Sequence, residues 1–366
     1  MTVFTWLVLL LLLASLLLHG NRKGSKKFII VAFLLLFAVM GLRDVYSCGS
    51  DSSGASGSYP VIYQRAGNTD WGELRSAWGE NYNIGFQYIM KLVFELSDGN
   101  YQLFISLISL FIMIAYIRFI MRYSPSPVQS VLYFLGLLYF IFMFDALKQA
   151  LAMSVLLFAF DAIVKKKPVK FVLLVLIAAQ FHFPALVFLP AYWIGRMKVG
   201  RDYLLLLAVL LLLTYLFRDQ ILRLMLNAYG DEDVNASMEG IRFLRNKAIV
   251  MIVIVVAAVV LRPPSENDPI YNACLVFAGI SIVFQTFCGY NNVFERLADY
   301  YFHTSIVLLP LIFEKREYTG RLLDMRTEML IKNLAPALFC VFAIWRFISY
   351  INNSPLYAGF RFVWQR

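Results

Sequence analysis

The residues able to do chemistry in this chain are few, and they gather at the ends of apolar stretches. Asp145, Lys148 and Gln149 stand at i, i+3 and i+4, which puts them on one face of a helix. Arg296, Asp299, Tyr300 and His303 follow the same spacing, extended to i+7. Arg43 and Asp44 close another apolar run, and Arg242, Arg245 and Lys247 precede a further one. His182 lies between two short apolar segments, beside Phe181, Phe183 and Pro184. A charge at the centre of a bilayer-spanning helix costs roughly 2.5–3.5 kcal/mol on insertion scales, so such residues are rarely kept without a task. Guanidinium groups hold phosphate through paired, charge-assisted hydrogen bonds. The chemistry this pattern points to is capture of an anionic ligand, with a lipid-linked diphosphate as the natural candidate. The competing structural reading is a local ion pair, Lys148 with Asp145 or Arg296 with Asp299. For His182 it is a hydrogen bond to backbone at the junction.

The elements that must position these residues are set by composition. Of 366 residues, 60% are apolar and 15% charged. A soluble domain is nearer about 45–50% apolar and about 25% charged, so an ordinary soluble enzyme is excluded. Apolar segments run at 3–18, 28–42, 101–120, 128–144, 146–164, 171–181, 183–194, 203–217, 248–261, 270–287, 299–313 and 333–350. The expectation is an all-α, polytopic integral membrane protein with about 12 transmembrane or half-membrane helices, one membrane domain over residues 1–366. The first segment lacks a basic leading region and an A-x-A site, and is expected to stay in the mature protein rather than act as a signal peptide.

Basic residues alternate between loops. Arg22, Lys23, Lys26 and Lys27 form one cluster, Arg118 and Arg122 a second, Lys165, Lys166, Lys167 and Lys170 a third. Arg196, Lys198 and Arg201, then Arg262, then Lys315, Arg316, Arg321, Arg326 and Lys332 continue the alternation. The positive-inside rule puts these loops in the cytoplasm and both termini outside. The net charge of +10 is thus a topology signal and needs no nucleic acid. Two long loops, 43–100 and 218–247, fall on the extracytoplasmic side. The segment 171–194, with basic runs at both ends, reads as a short helical hairpin, the alternative being one tilted helix from Phe171 to Ile194.

The first long loop, expected to carry an amphipathic helix, interleaves Tyr59, Tyr63, Trp71, Trp78, Tyr82, Phe86 and Tyr88 with polar residues. Aromatic faces suit sugar rings, and equally an interfacial belt on the membrane. Other motifs carry little. Cys48, Cys274, Cys288 and Cys340 show no metal or disulfide spacing. Asp231, Glu232 and Asp233 form a DxD string with no preceding strand, read as a solvated acidic turn. No GxxxxGK[ST], HExxH or GxSxG is present.

Four pieces in order carry a resemblance. GLRDVYSCGSDSSGASGSY supplies Arg43, Gly49, Asp51 and Tyr59; FDALKQALAMSVLLFAF supplies Gln149 and Ala152; AAQFHFPALVFLPAY supplies His182 and Ala185; ERLADYYFHTSIVLLPLI supplies Arg296, Tyr300 and Tyr301 in a helix ending with Pro310. On these the chain resembles the EpsG-type exopolysaccharide polymerases, relatives of the Wzy O-antigen polymerases. It departs from the family pattern at Lys148, where arginine is usual, so a point charge replaces a fork.

The resemblance implies a GT-C-like, metal-independent membrane glycosyltransferase in the bacterial cytoplasmic (inner) membrane, working at its extracytoplasmic side without a cofactor. Donor and acceptor would be undecaprenyl-diphosphate-linked glycans held among membrane lipid, with a flippase and a chain-length regulator as partners. Arg43, Lys148 and Arg296, with Arg242 and Arg245 in support, would hold the diphosphate. His182 or Asp51 would be the base, and Gln149, Tyr300, Asp145 and Tyr59 would line the substrate. A lipid-linked glycan ligase or polyprenyl-phosphate-sugar transferase would share the cationic site. A flippase or transporter is the non-enzyme alternative, disfavoured by the lack of an internal repeat.

Overall fold

Hydrocarbon offers no partner to a backbone N–H or C=O, so apolar runs must satisfy themselves as helices. The structure, a computed structural model, describes residues 2–18, 22–49, 58–77, 83–217, 220, 246–261, 268–286, 292–314 and 324–365. The helices are α1 Val3–Leu18, α2 Arg22–Gly41, α3 Tyr59–Gly67, α4 Leu74–Ala77, α5 Ile84–Leu96, α6 Tyr101–Tyr123, α7 Pro127–Gly136, α8 Tyr139–Asp145 and α9 Leu147–Val164. They continue as α10 Pro168–Phe181, a 3-10 turn Phe183–Phe188, α11 Ala191–Ile194, α12 Arg201–Leu216, α13 Asn246–Leu261, α14 Pro269–Gln285, α15 Asn292–Phe302, α16 Ser305–Ile312 and α17 Met325–Asn353. Among the described residues there is no strand, and one antiparallel bridge joins Arg43 to Phe362.

Among the described residues, four helical stretches are long and apolar enough to cross a membrane: Gly24–Gly41, Tyr101–Tyr123, Leu147–Val164 and Met329–Asn353. The pair α7 and α8 makes a fifth if counted as one span, bent by 49°. These apolar helices mark a membrane-embedded protein. The other apolar pieces, among them α1, α10, α12, α13 and α14, are 10–17 residues long. Two expected spans prove to be broken. The segment expected at 128–144 breaks at Leu137 and Leu138, the latter in the left-handed region at φ 66°. Residues 299–313 divide into α15 and α16 at His303 and Thr304.

The chain divides into two compact units. Unit 1 comprises residues 1–158, 176–183 and 334–366. Within it, the last carbonyl of α2, at Gly41, accepts hydrogen bonds from Gln102 Nε2 at 3.1 Å and Ser106 Oγ at 2.7 Å. A helix end that would otherwise leave orphan carbonyls is thereby pinned to α6. Arg346 Nη1 donates to the Gly136 carbonyl, freed where α7 stops. Phe4 of α1 packs its ring against Phe144, Phe347, Tyr357 and Phe360, tying α1, α8, α17 and the C-terminal tail into one aromatic cluster.

Unit 2 comprises residues 159–175 and 184–333. The Phe171 ring, near the start of α10, lies 6.1 Å from Phe188 and 5.4 Å from Tyr192. A helix advances about 1.5 Å per residue, so this contact requires the chain to double back after Phe181, as a hairpin does. Asp268 caps α14 by accepting from Tyr271 N at 3.0 Å. α12 crosses α14 closely at Gly279, where an added Cβ would stand 1.9 Å from the Tyr203 hydroxyl. That hydroxyl donates to the Val276 carbonyl at 3.0 Å.

Candidate functional site

In unit 1 the polar residues converge where α2 ends and α8 gives way to α9. Leu42, Arg43 and Asp44 run against the C-terminal tail: Asp44 N donates to Arg361 O at 2.8 Å, and Val363 N to Leu42 O at 3.0 Å. Asp44 also pairs with Arg361 across 3.7 Å. Arg43 itself is 3% exposed. Its Nη1 donates to the Met40 carbonyl at 2.8 Å, and its guanidinium carbon lies 4.3 Å from the centroid of the Phe144 ring. Its Nε is buried without a hydrogen-bond partner. Capping the last turn of α2 explains one of these donors, since cations favour helix C-termini. It leaves most of the guanidinium's donor capacity unused.

Asp145 ends α8, and Ala146, at φ −127° and ψ 57°, steps out of helical geometry before α9 begins. The Tyr357 hydroxyl donates to Asp145 Oδ2. Lys148 N donates to the Tyr59 hydroxyl at 3.2 Å, and its ammonium stands 6.0 Å from the Tyr59 ring centroid. Gln149 is buried beside it. The Cys48 thiol registers the electrostatics. Burial raises its pKa above the ordinary value; Arg43 opposes that shift, while Asp145 and Asp44 add to it. Burial, then the Asp145 carboxylate, likewise raises Tyr357. Arg43, Asp44, Cys48, Asp145 and Tyr357 therefore act on one another as one cluster.

Unit 2 holds a second polar cluster of different character. Lys247, in the first turn of α13, meets Asp299 of α15 at 2.8 Å and Glu295 at 3.2 Å. Two carboxylates thus answer one ammonium, so the Lys247 charge is already engaged. His303 Nδ1 contacts the Asp299 carbonyl at 2.8 Å, and the Tyr301 hydroxyl donates to Val187 O at 2.7 Å. Arg296 is exposed and Tyr300 fully buried on the same helix.

The structure brings Arg43, Asp145, Lys148, Gln149 and Tyr59 into unit 1, and puts Arg296 and Tyr300 in unit 2. His182, in unit 1, is half-buried at the end of α10, where its N–H continues the helix to Ala178 O at 3.0 Å. The next N–H, that of Phe183, is taken by Asn83 Oδ1 at 2.6 Å. Asp51, Arg242 and Arg245 lie outside the described residues. Three contributors went unread in the sequence: Tyr357 and Arg361 from the tail, and Cys48. The available signal was the tail itself, NSPLYAGFRFVWQR, whose Pro355 and Gly359 stop a helix while four aromatic residues ask for a partner surface.

A membrane-embedded, all-helical chain with a buried guanidinium at the end of a long apolar helix is the class that fold and site define. The pattern of the EpsG family matches residues 26–358, and the chain belongs to that family. No curated protein and no solved structure matches it.

Proposed function

We propose that the protein is a polysaccharide polymerase that joins undecaprenyl-diphosphate-linked repeat units at the outer face of the bacterial cytoplasmic membrane. Family membership supports the class of reaction. The observation that carries the site is Arg43, a buried guanidinium with one hydrogen bond to Met40 and an unpartnered Nε. A buried charge left this open is costly unless a ligand completes it. A diphosphate at the end of α2 is such a ligand.

In the reaction proposed, the bond from the growing glycan's anomeric carbon to the diphosphate oxygen breaks, and its electron pair leaves with the diphosphate. The acceptor hydroxyl oxygen forms the new bond to that carbon, and its proton passes to a base. Arg43 and Lys148 stabilise the departing diphosphate, the electrostatic role that is usually the largest in such chemistry. Gln149, Asp145 and Tyr59, in the same unit as Arg43, orient the sugars and phosphates. No metal is required for this charge balance. His182 or Asp51 takes the proton, help typically worth about 10² to 10⁴ in rate.

The test is product sizing. Purified protein in lipid nanodiscs is incubated with a synthetic undecaprenyl-diphosphate repeat unit, and the glycan is separated by length. A ladder of repeats supports polymerisation. A single addition assigns the protein to the transferases instead, and unchanged substrate with intact binding overturns the enzyme reading.

A further inference from the structure

The hairpin of α3 and α5 carries a feature that the transfer chemistry does not use. Trp71 and Tyr88 stack with ring centroids 5.8 Å apart and planes 21° from parallel, yet remain 41% and 40% exposed. The indole N–H is bound by both oxygens of Glu95, at 3.1 and 3.2 Å. Glu95 is gripped by Lys91 at 2.9 Å, and Lys91 is buried with its ammonium 3.0 Å from the Gly67 carbonyl. The hydrogen bond from Lys91 lowers the Glu95 pKa, which keeps the carboxylate ionised.

Beneath this surface the scaffold is closely packed. Phe94 lies so close to Gly67 that a Cβ there would meet its ring at 2.2 Å, and Tyr63 packs on Phe94 at 5.4 Å. Tyr88, Lys91 and Glu95 fall at i, i+3 and i+7 of α5, so one helix face presents ring, cation and carboxylate together. The side chains are preorganised before any ligand arrives.

We propose that Trp71, Tyr88 and Glu95 form a glycan-binding subsite that takes a neutral or N-acetylated hexopyranose ring of the polysaccharide. The proposal rests on the polysaccharide reading above. The stacked pair offers an apolar platform for the C–H face of a sugar, and the Glu95 carboxylate, with lone pairs left over from the indole, accepts from sugar hydroxyls at its edge. An acidic sugar is repelled there. The rival for exposed Trp and Tyr is an interfacial belt, in which the indole N–H reaches for headgroups. Here the N–H is already taken by the Glu95 carboxylate, and a charged pair borders the ring, an arrangement that disfavours immersion among acyl chains.

The experiment uses full-length protein in nanodiscs and oligosaccharides of one to six repeats cut from the host's own exopolysaccharide, compared for wild type, Trp71→Phe, Trp71→Ala and Glu95→Gln by titration calorimetry. Trp71→Ala and Glu95→Gln should each weaken binding by about fivefold or more, while Trp71→Phe, which keeps a ring, stays near wild type. Equal binding by wild type and Trp71→Ala overturns the subsite. In parallel, nanodiscs with headgroup-brominated lipid report whether Trp71 touches lipid: the protein has 6 tryptophans, and the quenching that Trp71→Phe removes belongs to this one. A large Trp71 share unprotected by oligosaccharide assigns the pair to the membrane belt and also overturns the subsite. Binding with the expected variant pattern but no ladder from the lipid-linked unit would retain the subsite while refuting the polymerase.

Discussion

Tyr357, in the tail beyond the last long helix, donates its hydroxyl hydrogen bond to Asp145, at the junction of α8 and α9. Residues 212 apart in sequence thus share one proton-mediated contact, and the tail becomes a wall of the Arg43 cluster. Tyr357→Phe removes a donor to a half-buried carboxylate, which should cost about 1–2 kcal/mol and lower the melting temperature in detergent. Removing residues 354–366 also strips Tyr357 and Phe360 from Phe4 and should be far more damaging. A melting temperature unchanged by both would show that the tail does not hold this corner.

Lys247 sits between Asp299 and Glu295, so Lys247→Met withdraws an ammonium from both carboxylates, of which Asp299 is buried. Breaking a buried pair from one side costs roughly 3–5 kcal/mol, whereas replacing both members with apolar groups is often nearly neutral. Fluorescence-detected size exclusion should show little folded Lys247→Met protein and recovery when Asp299→Leu is added. Robust folding of Lys247→Met alone would contradict the pairing.

Gly279 and Tyr203 should couple in a double-mutant cycle. Gly279→Ala forces its methyl into the Tyr203 hydroxyl, whereas in Tyr203→Phe that oxygen is gone and the next atom, the ring carbon Cζ, lies at 3.1 Å. Gly279→Ala should destabilise strongly in the wild-type background and much less in Tyr203→Phe, measured as melting temperatures of all four proteins. Additive shifts would show that α12 and α14 do not meet this way.

The titration of the Arg43 cluster has a definite sign. Burial raises Cys48 above its ordinary 9.0 and Tyr357 above its ordinary 10.0. The folded state therefore holds these protons more tightly than the unfolded one. Their contribution to stability is complete below pH 9 and declines as the pH climbs past 9.0 and then 10.0. Thermal melts should fall off on the alkaline side, and Cys48→Ala should flatten the first part of that decline. The same burial should leave Cys48 slow to react with maleimide in the folded protein, and removal of the tail should expose it. Rapid labelling of intact protein would contradict a buried thiol.

What the sequence made legible follows the range of the forces involved. Hydrophobic runs are local, so segments expected at 101–120 and 146–164 appear as Tyr101–Tyr123 and Leu147–Val164. The doubling back of 171–194 was legible from Pro184 and the flanking lysines and arginines, and Phe171 against Tyr192 is its physical expression. The break at Leu138 was not, because leucine is a strong helix former and nothing in its side chain favours φ 66°. Spacing pointed to Arg296 as the partner of Asp299 at i+3, and gave no sign of Lys247, 52 residues away, which also holds that carboxylate. The tail was missed for the same reason: its contacts with Asp44 and Ser47 span 314 residues for Ser47 with Arg361, and no periodic pattern reports them.

The Arg43 guanidinium as a diphosphate cradle is tested most directly by equilibrium binding of sugar-free undecaprenyl diphosphate to wild-type protein and Arg43→Gln in nanodiscs of neutral lipid. Glutamine removes the charge and keeps a polar side chain, and the melting temperatures of both proteins, measured alongside, separate loss of binding from loss of fold. Arg43→Gln should bind at least roughly tenfold more weakly, the size of one charge-assisted hydrogen bond. Equal affinity in the two proteins would mean that the buried guanidinium only caps α2 and that the diphosphate is held elsewhere.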